Sequence, residues 1–211
     1  MSEILVVPDI HGRDFWIEPC NNWKGPIVFL GDYHDPYPEI KKSKSYKNLI
    51  KLVEFSKTRD NLTFLIGNHE IPYFYPYPIS RFDIFRAVLI KNLLSQLPLK
   101  FCHKVDNCLF SHSGILPEWL ERNNLTLERI NNLKMNSPEI NQTSPYRYGC
   151  TKVGSCVWGD LLEYMDKPHL PDYFQVFGHT WCKKPIIQKD FAMLDCGKTF
   201  IINTETCQIE I

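Results

Sequence analysis

Leu62-Thr63-Phe64-Leu65-Ile66-Gly67-Asn68-His69-Glu70 is the stretch on which the fold turns. Five residues suited to a buried strand run into a glycine, and the glycine into an amide, an imidazole and a carboxylate. The pattern recurs. Residues 4–7 lead into Pro8-Asp9-Ile10-His11-Gly12, and residues 27–30 into Gly31-Asp32-Tyr33-His34-Asp35. Residues 108–110 lead into Ser111-His112-Ser113-Gly114, and residues 173–177 into Gly178-His179-Thr180. Helical periodicity lies between: residues 44–57 put Leu49, Leu52, Val53 and Ser56 on one side, and residues 81–97 space Ile84, Phe85, Val88, Leu89 and Leu93 as a helix does. Strands alternating with helices predict an α/β layered fold. The tail from residue 185 offers strand after strand and no helix, which suits a second sheet packed on the first.

The five polar turns each close a strand. In open α/β sheets, sites form at the carboxyl ends of strands, so these groups are expected in one crevice. Oxygen donors mixed with imidazoles suit divalent Mn, Fe or Zn. A carboxylate among them is able to bridge two ions roughly 3.5–4 Å apart, the arrangement that clamps an in-line displacement at phosphorus.

The remaining composition bounds the answer. A chain of 211 residues, 44% of them apolar, predicts a single domain over 1–211. Lysine plus arginine equals aspartate plus glutamate, 24 each, so no global charge steers the protein to nucleic acid. The N-terminus lacks the features of a signal peptide and no apolar run is long enough to span a bilayer, so a cytoplasmic location away from membranes is expected. The eight cysteines form no C-x-x-C pair and read as reduced thiols, with a bond among Cys182, Cys196 and Cys207 left open. Residues 136–149 read as a loop or insertion, and residues 73–78 as an aromatic, proline-bearing packing segment.

The ordered set Asp9-x-His11-Gly12, Gly31-Asp32-x-x-Asp35, Gly67-Asn68-His69-Glu70, His112 and Gly178-His179 resembles the calcineurin-like metallophosphoesterase superfamily. Asp35, Val157-Trp158-Gly159-Asp160, Gly178-His179-Thr180-Trp181 and Asp195-Cys196-Gly197 are similar to its phosphoprotein-phosphatase branch, which includes bacterial and phage phosphatases and diadenosine tetraphosphatases. The resemblance implies a four-layer α/β/β/α sandwich of two mixed sheets flanked by helices. It also implies two divalent ions, Mn foremost, with Fe, Zn or Ni as alternatives. Asp9 and His11 would bind the first ion, Asp32 would bridge, and Asn68, His112 and His179 would bind the second. A bridging hydroxide would attack a phosphomonoester directly, with His69 as general acid and Asp35 orienting its ring.

One departure bears on the substrate. The branch continues with arginine after its second aspartate, and this chain reads Asp35-Pro36-Tyr37. Arg13, Arg81, Arg86 and Arg147 are candidates for the missing phosphate grip, with Arg81 and Arg147 favoured as substrate-binding residues. The partner expected is a phosphorylated substrate, either a phosphopeptide or a small phosphoester or nucleotide. A nucleotide or dinucleotide-polyphosphate hydrolase is the first alternative, and a catalytically impaired metal-binding interaction protein the second. His34, His103 and His169 lie outside the ligand set, His34 being read as a solvent-facing loop residue. The four lysines in residues 41–47 read as a solvated helix start.

Overall fold

The computed structural model describes residues 2–75 and 79–210. In chain order the elements are β1 (Glu3–Val7), α1 (Ile17–Asn22), β2 (Ile27–Phe29), α2 (Lys42–Ser56), β3 (Leu62–Leu65), α3 (Ile71–Phe74) and α4 (Ala87–Leu94). Then come β4 (Leu99–Lys100), β5 (Cys102–Val105), β6 (Cys108–Ser111), α5 (Pro117–Arg122), α6 (Leu127–Ile130) and α7 (Leu161–Asp166). The chain closes with β7 (Phe174–Phe177), β8 (Ile186–Ile187), β9 (Phe191–Met193), β10 (Phe200–Asn203) and β11 (Ile209–Glu210). One sheet has the order β11-β10-β1-β2-β3-β4 and the other β5-β6-β7-β9-β8. Both are mixed: β1, β2, β3 and β4 run parallel, as do β6, β7 and β9, while β10, β5 and β8 pair antiparallel with their neighbours.

The alternation of strand side chains builds the layers. On β1, Leu5 and Val7 face a core that also contains Cys20 of α1, Leu49, Leu52 and Val53 of α2, and Ile90 and Leu94 of α4. Ile4 and Val6, pointing the other way, join Val28, Phe110, Val176 and Ala192 in a core shared by the two sheets. The outer face of the second sheet gives Leu109, Phe177 and Met193 to a third core with Trp119, Ile130 and Tyr164 of the later helices. Three cores separate four layers, helix on sheet on sheet on helix, as the resemblance implied.

Two expectations need correction. The periodicity over residues 81–97 gives a helix only at Ala87–Leu94, preceded by a short 3-10 turn at Ile84–Arg86. The apolar set that suggested it points outward: Ile84, Phe85, Val88 and Leu89 are exposed, Phe85 at 92%, and Ile90 and Leu94 carry the packing. Arg81 adopts a left-handed φ of 67°, which keeps the chain out of helical conformation there and delays the start of the helix. The tail strands do not form a sheet of their own. β8 and β9 extend the second sheet, while β10 and β11 cross to the first, where β10 pairs with β1. All eight cysteines are free, and Cys207 lies beside Cys108, Sγ to Sγ 3.9 Å, rather than beside Cys182 or Cys196. No helix among the described residues is long and apolar enough to cross a membrane.

Candidate active site

Six parallel strands, three from each sheet, deliver their carboxyl ends to one edge. Asp9 and His11 follow β1, Asp32 and Asp35 follow β2, and Asn68 and His69 follow β3. His112 follows β6, His179 follows β7 and Asp195 follows β9. His11, Asp32, Asp35 and His179 all adopt left-handed φ values, 43°, 54°, 51° and 68°. Such conformations are uncommon outside glycine and concentrate at functional sites. Two glycines make room for the carboxylates. A Cβ on Gly67 would stand 2.1 Å from Asp32 Oδ1, and one on Gly178 would stand 2.0 Å from Asp9 Oδ1.

The imidazoles are oriented by what their other nitrogen does. His112 Nδ1 donates to the Leu30 carbonyl at 2.8 Å, so Nε2 presents a lone pair. That lone pair faces Asn68 Oδ1 at 3.1 Å, His179 Nδ1 at 2.9 Å and Asp32 Oδ1 at 3.6 Å. His11 Nδ1 donates to the His34 carbonyl at 3.1 Å, which turns its Nε2 to Asp32 Oδ2 at 3.2 Å. Burial, reinforced by the Arg147 charge, pushes His179 well below the ordinary histidine range, so it is a neutral donor. Burial alone would raise the Asp32 carboxyl, but the His112, His69 and His11 rings outweigh it and hold Asp32 well below the usual carboxylate range.

Ring nitrogens and carboxylate oxygens that converge on one point suit a cation. Two groups have ligand atoms within 4.8 Å of one another: His11, Asp32 and His69, and Asp32, His112 and His179. Asp32 belongs to both. Asp9 belongs to neither; its carboxylate accepts the His179 N–H at 3.0 and 3.1 Å. It is buried close to a second buried acid, Asp195, whose carboxyl is pushed up to about 8 by burial and by the Asp9 charge. The donor set, and an acid pair that shares the single cation of Arg13, fit divalent ions.

Beside this cluster, His69 Nδ1 contacts Asp35 Oδ2 at 2.9 Å, and the Tyr73 hydroxyl donates to the other Asp35 oxygen. His69 Nε2 accepts from Arg81 Nη2 at 3.1 Å. Arg81 also donates to the Asp35 carbonyl at 3.0 Å and lies over the Tyr37 ring, 4.3 Å from its centroid. Of the four candidate arginines, Arg81 and Arg147 line the cleft. Arg147 is pinned, by an ion pair to Asp160 at 3.0 Å and hydrogen bonds to the His179 carbonyl and Thr180. Arg13 is turned to Asp195 at 3.3 Å, and Arg86 to Asp83 at 3.0 Å. The cleft has a volume of about 730 Å³ and reaches from His11, Asn68 and His179 out to Tyr148 and Trp181.

Some assignments from sequence change. His34 is not solvent-facing: it is buried, with Nδ1 2.7 Å from Ser45 Oγ and Nε2 3.6 Å from Asp83. The left-handed turn at Asp32 and Asp35 folds it under the site, where α2 and Asp83 supply its polar partners. Glu70, quoted in a block but given no role, accepts backbone N–H groups of Asp32, Tyr33 and Gly67 at 2.8, 2.9 and 2.8 Å. Tyr73, expected to be packing, is buried and also hydrogen-bonds Asp35; residues 76–78 of the aromatic segment lie outside the described residues. His169 is a structural bridge between Asp190 and the Tyr164 carbonyl.

The profile described as calcineurin-like phosphoesterase matches residues 2–182. The chain belongs to the calcineurin-like phosphoesterase family. This phosphoesterase covers 100% of its own length and 80% of a cold-active protein-tyrosine phosphatase from a Shewanella species, at 17% identity and a TM-score of 0.63. Against a protein serine/threonine phosphatase from Saccharomyces cerevisiae the figures are 96% and 73%, 14% identity and 0.55. Against a metallophosphoesterase from Sphaerobacter thermophilus they are 99% and 86%, 10% and 0.51. At these identities the likeness is one of fold. No curated protein matches the sequence.

Proposed function

We propose that this phosphoesterase hydrolyses phosphomonoesters with two divalent cations, Mn foremost and Fe, Zn or Ni as alternatives. Asp9, His11 and Asp32 would hold one, and Asp32, Asn68, His112 and His179 the other. The observation that carries the reading is the convergence of lone pairs on both sides of the Asp32 carboxylate, next to a histidine fixed by an aspartate. When bound, the two ions supply Lewis-acid polarisation of the phosphoryl group and activate the attacking water.

The chain's own residues do the rest. Asp35 takes the Nδ1 proton of His69 as a hydrogen bond, which leaves Nε2 as the nitrogen that exchanges a proton with the leaving oxygen. Tyr73 holds the second Asp35 oxygen, so the carboxylate does not swing away. Arg81 Nη2 donates to that same Nε2 at 3.1 Å and occupies it in the substrate-free cleft. A phosphate dianion is a stronger acceptor for a guanidinium than an imidazole is, so it would draw Arg81 off the ring and leave Nε2 open to take up from solvent the proton it then passes to the leaving oxygen. Arg81 thereby replaces the arginine missing at Pro36. Arg147 is a second cationic wall, its reach limited by Asp160.

The substrate is a phosphopeptide or a small phosphoester. The protein-tyrosine and serine/threonine phosphatases among the similar folds support the former. A nucleotide or dinucleotide polyphosphate is the second reading, favoured by the aromatic side chains of the cleft mouth. The zero net charge offers no track for a nucleic acid. Eight free thiols fit a reducing compartment such as the cytoplasm, and residues 1–211 act as one domain.

The test is turnover of p-nitrophenyl phosphate and phosphopeptides by metal-stripped protein with and without added Mn²⁺. Metal-dependent release of phosphate supports the reading. Two tightly bound ions without turnover of any ester would sink it in favour of a metal-binding interaction protein.

A further inference from the structure

The mouth of the cleft carries groups that the proposed chemistry leaves unused. Tyr148 is fully exposed (102%) and Trp181 half-exposed (52%), and both line the cleft. Tyr148 follows the short 3-10 turn Pro145–Arg147 in a left-handed conformation, φ 60°, that bulky residues adopt uncommonly. Folding does not reward either ring with burial, since each keeps most or half of its surface in water.

Their placement is fixed from below. Arg147, next to Tyr148, donates to the His179 carbonyl at 3.2 Å and to Thr180 Oγ1 at 2.7 Å. Thr180 is next to Trp181. The two exposed rings therefore flank one pinned contact, on the His179 side of the metal-ligand cluster. Trp158 stands edge-on to the His179 ring, 6.1 Å between centroids, and continues the aromatic wall inward. On the other side of the cleft stand Tyr37 and Arg81, stacked on each other. Ile79, Arg81 and Arg147 share the lining, but Tyr148, Trp158 and Trp181 together give a flat apolar ring aromatic surface to pack on.

We infer that the alcohol half of the substrate is a planar aromatic group, held at the cleft mouth by Tyr148 and Trp181 while the phosphate sits between Arg81 and the ligand cluster. The inference rests on the phosphomonoesterase reading and narrows it. The shared chemistry is the ring itself, which the phenol of phosphotyrosine or the base of a nucleotide would provide.

Aryl phosphates are intrinsically more reactive than alkyl ones, so the test needs esters matched in leaving group. The Mn²⁺-loaded protein is assayed with 2-phenylethyl phosphate and n-hexyl phosphate, both esters of primary alcohols. The wild type is expected to favour the ring ester in kcat/KM by about tenfold. Trp181→Ala and Tyr148→Ala should each shrink that ratio severalfold, and Trp181→Phe should restore most of it. A phosphotyrosine peptide and adenosine 5′-monophosphate, assayed on the same set, identify the ring by which one loses more in Trp181→Ala. Equal rates for the matched esters in the wild type, or a ratio unchanged in both alanine variants, overturn the ring subsite and leave the hydrolase intact. No turnover of any ester overturns the hydrolase and the subsite with it.

Discussion

His69 is engaged at both ring nitrogens, and the two partners ask opposite things of it. Asp35 accepts the Nδ1 proton, while Arg81 donates to the lone pair at Nε2. In the proposed reaction this ring would give its proton to the leaving oxygen, and the value of that proton depends on the leaving group. His69→Asn should therefore lower kcat about 10²–10⁴-fold on alkyl phosphates and much less on p-nitrophenyl phosphate, whose alcohol leaves without help. A uniform loss across leaving groups would show that His69 holds structure instead. Arg81 gives a separable signature. Charge-assisted hydrogen bonds of this kind are worth about 1.5–3 kcal/mol, so Arg81→Ala should cost about 10–100-fold in kcat/KM, and Arg81→Lys should recover only part because it lacks the fork. Unchanged steady-state constants in Arg81→Ala would return the phosphate grip to Arg147.

At the scale of elements, the loops after β2 and β3 are tied by one side chain. The Glu70 carboxylate accepts from the loop after β2 and from Gly67, while Asp32 Oδ1 accepts the His69 N–H at 3.0 Å in return. Glu70→Gln puts an NH₂ where a carboxylate oxygen met a backbone donor. It should destabilise the fold by about 2–3 kcal/mol in urea denaturation and weaken metal binding, because Asp32 sits in the loop released. Denaturation curves that superpose would exclude this tie. Local pattern made the strand ends legible: the Gly67-Asn68-His69-Glu70 block sets a short β-run against a polar turn, and no other element type reads that way. It did not reveal Glu70's work, since three backbone donors leave no trace in sequence. Nor did it give the facing of α4. Ile84, Phe85, Val88 and Leu89 keep helical spacing yet are exposed, because Ile90 and Leu94 lie on the face of α4 that packs on the core. The tail strands were legible as strands. Their division between sheets was not, because pairing partners such as β1 and β10 are about 200 residues apart in sequence.

Across the whole molecule, two sheets meet with their acids facing. Asp9 leaves β1 of one sheet and Asp195 leaves β9 of the other, both buried, with Arg13 paired to Asp195 alone. Burial and the Asp9 charge raise Asp195 from the ordinary 3.8 to about 8, so without metal the sheets hold a proton between them that the unfolded chain gives up. From pH 5 to pH 8 the folded state thus binds more protons than the unfolded one, and linkage makes stability fall as pH rises. The metal-free protein should lose on the order of 3–4 kcal/mol over that interval through this group. Asp195→Asn removes the group and flattens the difference, while contributions common to both proteins, such as that of His179, cancel. Divalent ions bound as proposed would neutralise the charge around Asp9 and Asp32, so loading with Mn²⁺ should raise the unfolding temperature and abolish most of the difference in slope. Urea titrations of both proteins at pH 5, 6.5 and 8, with metal and with chelator, read all of this in one experiment. Parallel pH profiles for metal-free wild type and Asp195→Asn would mean that the acids of the two sheets do not interact.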